Sequence, residues 1–251
     1  VDYLVTGSVQ RLKDDLRINV QLIETRGELA LWGERYSGDV NDVFDIQDQL
    51  TASVISALQV ELAPEERTHL ATRPTASVAA YDAYLRGLEE HGARSEAQNH
   101  AARRHFEEAI TLDPRFARAY TGLALTYSRE AIDGWTSAPT RSLGLADRFA
   151  KEATAMDPSL PQVYFVTGQI RLFQRRHFQA IESAERAIEI DPRYLDGRYN
   201  LALSNLRLGE RRRASAYQSE AKSAQRSGNE ADPETVWFNL AQSDRDYIME
   251  R

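Results

Sequence analysis

Cysteine is absent from this 251-residue chain, which excludes disulfides, thiolate metal sites and cysteine nucleophiles. The lack fits a reducing compartment, so a cytoplasmic location is expected. No apolar run approaches the roughly 18–20 residues that a membrane span needs. Basic charge is also in deficit, with 31 Lys and Arg against 38 Asp and Glu and a net charge of −7. Nucleic-acid binding has the opposite electrostatic footprint, and no such partner is expected. The one dense basic run, Arg211-Arg212-Arg213, opens a predicted helix and reads as a solvated helix end ahead of a phosphate site. The 13 glycines are scattered, and neither GxxxxGK[ST] nor GxSxG occurs. His69, His91, His100, His105 and His177 lack the i, i+4 spacing of helix-borne metal ligands. Glu89-Glu90 and Glu107-Glu108 are adjacent pairs, which point to different sides of a helix and cannot converge as acid and base. No catalytic residue, metal or cofactor is expected. Residues 1–12 (VDYLVTGSVQRL) read as a strand, not a leader peptide, and without an initiating methionine the sequence is expected to be a piece of a longer protein.

What the chain does have is a repeat. Asp113-Pro114, Asp157-Pro158 and Asp191-Pro192 lie 44 and then 34 residues apart. Five and twelve residues before each proline stands an alanine: Ala109 and Ala102, Ala153 and Ala146, Ala187 and Ala180. Ala221 and Ala214 continue the series, although Arg226 replaces the proline. Two helical turns separate the members of each pair, which places them on one face where a neighbouring helix can approach closely. Gly168 and Ala202, twelve residues upstream of Ala180 and Ala214, do the same for the first helix of a hairpin. Large residues such as Tyr120, Leu123, Tyr127, Tyr164, Ile170, Leu201 and Leu206 fill the space between. Each proline stops the helix before it. Four hairpins follow, at about 79–112, 115–156, 159–190 and 193–227. The first has Gly87 as its small residue and a long polar turn at His91–Asn99. The second is lengthened by ten residues around Ile132–Leu145, a loop holding Trp135. Pro233 opens a last helix that reaches Ile248 and caps the stack.

Residues 1–62 have a different period. Leu16, Ile18, Val20 and Leu22 alternate with Arg17, Asn19 and Gln21, as in a half-buried strand. With 3–12 and 28–36 on either side, this predicts a three-stranded antiparallel meander. Asp39, Asn41 and Asp42 offer caps for a helix over about 43–62, whose apolar stripe is Val43, Ile46, Leu50, Val54, Ala57 and Leu58. One helix covers one face only. Another copy of the chain or upstream residues are therefore expected to cover the other face, with association through this sheet.

The spacing of small, large and proline positions resembles the tetratricopeptide repeat (TPR), a helical hairpin of 34 residues. The stretch DYLVTGSVQR…RINVQLIET…LWGERYSGDVNDVFDIQDQL resembles the carboxy-terminal half of the TolB-like (FlgO-like) domain. Together they imply a mainly α fold: a TPR-type α-solenoid of about four hairpins plus a capping helix, preceded by a partial α/β segment. The expected domains are 1–62 (partial TolB-like), 63–78 (linker), 79–232 (repeats) and 233–251 (capping helix). The resemblance also implies bacterial companions upstream, a class III adenylate/guanylate cyclase domain or a winged-helix DNA-binding domain.

In tetratricopeptide arrays the first helices line a concave groove that holds a peptide. That register implies a groove of Tyr84, Leu88, Arg118, Thr121, Leu125, Arg129, Phe165, Gln169, Phe173, Tyr199, Leu203 and Arg207, rich in the aromatic and arginine side chains that dominate interfaces. Phe165 and Phe173 equally suit packing between repeats. The asparagine and lysine set that clamps a terminal carboxylate is missing, since Tyr199 stands beside Asn200 where lysine belongs. Trp135 is a second candidate contact, against a reading in which it folds back over its own hairpin. The function expected is scaffolding and regulation in a signalling protein, through a protein or peptide partner or the chain's own output domain. The alternatives are a fragment of a nucleotide cyclase whose catalytic domain lies upstream, and a small-molecule sensor.

Overall fold

The computed structural model describes residues 3–58 and 73–219, apart from 14, 28, 94, 193, 211 and 217. The expected capping helix, Ala221 and most of the expected linker lie outside the described residues. The chain divides into two compact units, Val1–Val78 and Ala79–Arg251.

The first unit is the meander. Strands β1 (Tyr3–Leu12), β2 (Asp15–Glu24) and β3 (Leu29–Asp39) pair antiparallel in that order. Asp39 and Asp42 cap a short 3-10 turn at Val40–Asp42 through reciprocal side-chain bonds, and helix α1 (Val43–Leu58) follows. Leu16, Val20 and Leu22 are buried, and Val20, Tyr36 and Ile46 form the centre of the small core. Gly38 lets α1 come close to β3, since a Cβ there would lie 3.1 Å from Ile46 Cδ1. Arg73 bonds Asp45 and Asp48 on the outer side of α1.

The far face of the sheet is polar along its middle and apolar at the ends of β1. Cross-strand register places Thr6, Ser8, Asn19, Gln21, Arg35 and Ser37 in that middle. Asn19 donates to Ser8 Oγ (3.1 Å) and accepts from Arg35 Nε (2.8 Å), a polar ladder suited to water. Uncovered apolar side chains stand on both faces: Leu4 (49% exposed) and Leu12 (76%) share the far face at the two ends of β1, and Val5 (49%) and Val9 (68%) of the same edge strand stand on the side of α1. A helix roughly 10 Å across, seated over β3, does not reach β1, which lies two strand spacings of about 4.8 Å away.

The second unit is a tetratricopeptide-type solenoid. Its helices pair as α2 (Val78–Gly92) with α3 (Glu96–Leu112), α4 (Ala117–Ile132) with α5 (Pro139–Met156), and α6 (Pro161–Phe173) with α7 (His177–Ile190). Helix α8 (Leu195–Arg207) opens a fourth hairpin, and residues 212–216 and 218–219 are again helical. Ala102, Ala109, Ala146, Ala153, Ala180 and Ala187 are all 0% exposed, and Ala214 is buried. The small-residue rule therefore holds at every described position.

The three Asp-Pro turns share one backbone closure. The amides of Asp113, Asp157 and Asp191 donate to the carbonyls of Ala109, Ala153 and Ala187 at 2.9–3.0 Å. Asp113 Oδ1 accepts from the Arg115 amide, and Asp157 Oδ1 from the Ser159 amide, both at 2.9 Å. Tyr120 and Tyr164 hydroxyls donate back to the carbonyls of Pro114 and Pro158. Two expectations change. The first hairpin turn is short, because α2 runs to Gly92 and Ser95 already caps α3. The ten extra residues of the second hairpin are not one added loop. Against the third hairpin, α4 (16 residues against 13) and the connection Asp133–Ala138 each gain three, and α5 (18 against 14) gains four.

Candidate functional site

Successive first helices touch one another, α4 with α6 and α6 with α8, and form the inner wall of the solenoid. A narrow apolar cleft with about 20 Å³ of room inside it opens on that wall. Tyr84 and Leu88 from α2, Thr121, Gly122 and Leu125 from α4, and Phe165 from α6 line it, with Tyr84 and Leu88, and Thr121 and Leu125, one helical turn apart. Leu160 and Tyr194, at the starts of α6 and α8, complete its floor, with Arg118 and Gln162 half-buried.

Six of the twelve expected groove residues thus converge: Tyr84, Leu88, Arg118, Thr121, Leu125 and Phe165. Most show little surface. Phe165 is 1% exposed and packs edge-on to Tyr194 at 6.2 Å between ring centroids. The other six lie outside the cleft. Gln169 and Tyr199 are half-buried and Leu203 is buried. Phe173 (45% exposed) and Arg207 stand at helix ends. Arg129 donates to the His91 carbonyl at 3.3 Å, and burial pulls its pKa down while Asp133 opposes the shift. Trp135 is half-buried, its amide bonded to the Glu130 carbonyl.

Leu160, Gln162, Gly122 and Tyr194 are the lining residues that the helical register omits. A signal for two of them was present. Phe116, Leu160 and Tyr194 each stand two residues after an Asp-Pro proline, and all three are buried at the entrance of a first helix. The same count that finds the alanines finds these plugs.

The wall is held in position by a polar network across three helices. Arg103 on α3 pairs with Glu130 on α4 at 3.2 Å, and Ser142 on α5 donates to the same carboxylate oxygen at 2.9 Å. The Arg103 guanidinium lies 3.8 Å from the centroid of the Tyr127 ring. Asn99 donates to the Thr126 carbonyl at 3.0 Å. A larger, open cleft of about 520 Å³ lies between α5, α6 and α7. Its charges include Asp147 and Lys151, which pair at 2.6 Å. Among the described residues, no group of three or more His, Asp or Glu is placed to hold a metal ion, and no helix is long and apolar enough to cross a membrane.

No protein-family profile matches the chain. A Rhizobium meliloti (strain 1021) protein with the provisional name adenylate cyclase 3 is 30% identical over 187 residues, 74% of this chain. The chain spans about a third of the length of that curated relative (31%). Among solved structures, MamA from Desulfovibrio magneticus RS-1 aligns with 77% of the chain and 99% of its own at 16% identity and a TM-score of 0.44. MamA of MSR-1 aligns with 76% and 100% at 20% identity and a TM-score of 0.40.

Proposed function

We propose that the helical unit is a protein-binding module, and that its ligand is a peptide segment held in the apolar cleft of the inner wall. The supporting observation is the convergence of four hairpins on one cleft with aromatic and aliphatic walls and Arg118 and Gln162 at its mouth. Buried aromatic anchors flanked by arginine are the usual energetic centre of an interface. The enclosed room is that of a small group, so the ligand lies across the mouth of the cleft with an apolar group at its centre, beside Arg118 and Gln162.

The test is retention of partners on the immobilised chain. Arg118→Glu combined with Gln162→Ala, both on half-buried rim residues, is expected to release the bound protein while the melting temperature holds. Retention of every partner by this double variant would reject the cleft.

The module's place is in a longer bacterial signalling protein, as its regulatory and scaffolding part, with the output domain a further ligand for the cleft. The similarity to the Rhizobium meliloti protein favours a nucleotide cyclase as that output. On this reading the 251 residues alone make no cyclic nucleotide from ATP or GTP with magnesium or manganese, and a chromatographic assay of that reaction checks it.

A further inference from the structure

The turn between α6 and α7 differs from its sister turns. Three first helices end in the same closure. The amides of Trp135, Arg176 and Glu210 reach back to the carbonyls of Glu130, Arg171 and Asn205 at 2.8–3.0 Å, each across a residue in the left-handed region. That residue is glycine in two of them, Gly134 (φ 73°) and Gly209 (φ 82°). In the third it is Arg175 (φ 60°), although left-handed backbone disfavours any side chain. Three positions further on, the sisters have exposed polar residues, Ser137 and Arg212, and this turn has Phe178 at 73% exposure. The hairpin itself therefore requires neither the arginine nor the phenylalanine.

These residues form a concave patch. Arg175, Arg176, His177, Phe178, Gln179 and Leu208 rim an open notch of about 340 Å³. Phe178 and Leu208 give it apolar sides, and the two arginines give it a cationic edge. No ion pair engages Arg175 or Arg176 among the described residues. Glu182, one turn along α7, lines the separate cleft with Tyr164, Arg171 and Arg186.

We propose that this notch is a second docking site, which takes an acidic segment of a partner protein with one large apolar side chain between Phe178 and Leu208 and carboxylates over Arg175 and Arg176. Charge complementarity selects an anionic ligand. The net charge of −7 selects a short one, because a bilayer or a nucleic acid would extend beyond the patch onto a chain of its own sign. The notch shares no residue with the inner-wall cleft, so the two sites fail independently.

A fluorescein-labelled peptide of alternating glutamate and leucine, titrated by anisotropy with the whole chain, tests this. Phe178→Ser and the pair Arg175→Gly with Arg176→Gln use residue types that the fold already accepts in sister turns or that stay polar at the surface. Each is expected to weaken binding by on the order of tenfold, with unchanged circular dichroism, while Arg118→Ala leaves it intact. A peptide with lysine in place of glutamate is expected not to bind. Four results would each overturn the proposal: no binding by the wild type, binding insensitive to both variants, loss with Arg118→Ala alone, or tighter binding of phosphatidylserine vesicles or single-stranded DNA through the same residues.

Discussion

Phe106 is fully buried with a glycine on each side of its ring. A Cβ built on Gly87 or on Gly122 would stand 2.6 Å from a ring carbon. The residues at the same distance before the later prolines are Ala150 and Ala184, both buried, and those at the distance of Gly122 after them are Val166 and Asn200. One junction therefore uses large against small where the others use small against larger. Gly122→Ala is expected to cost about 1–3 kcal/mol in urea denaturation, because the ring cannot retreat towards Gly87. Phe106→Leu in the same chain should recover part of that loss. Sequence counting finds residues that are small in every repeat. It does not find Gly122, which is small once because its partner in space is large once. At the α6–α7 turn the backbone argument gives the opposite sign: Arg175→Gly is expected to raise stability by about 1 kcal/mol, read as a higher melting temperature.

Helices and strands were legible wherever one period governed them. Alternation in β2 gave its buried face, and the alanine pairs gave the buried faces of α3, α5 and α7. What alternation cannot reveal is how far a single helix reaches across a sheet, and for that reason the open apolar strip at Val5 and Val9, on the side of α1, was not expected. The extra residues of the second hairpin were visible as a broken spacing, but their division among α4, the connection and α5 depends on contacts made in three dimensions. Ser142, within that added length, donates to Glu130 and joins α5 to the Arg103 pair. Removing one partner from a largely buried pair exposes the cost of the other. Glu130→Ala is expected to destabilise the chain by about 3 kcal/mol, and Glu130→Ala with Arg103→Met by clearly less. A double-mutant cycle in denaturant measures the coupling. Equal losses in both would mean that the network contributes no coupling across these helices.

At the scale of the molecule, the helical unit is a wall of first helices brought close by small residues on the second. The cleft exists because Tyr84, Leu125, Phe165 and Tyr194 come from four hairpins and meet only when that wall is curved and tight. Six of its ten lining residues followed from the helical register. Of the other four, Leu160 and Tyr194 enter from hairpin starts, where each follows a proline, and the register of a helix interior does not extend to them. A chain with no cysteine allows the wall to be probed one position at a time. The direct measurement is the rate of maleimide labelling of single cysteines at Ala102, Ala153 and Ala180, compared with one at Gln162 on the cleft's rim. The structure predicts that the first three stay unlabelled until the protein unfolds, while the fourth reacts in the native state and is shielded by a bound partner. Fast native labelling at the alanine positions would mean that the helices are not nested, and it would remove both the wall and the site built on it.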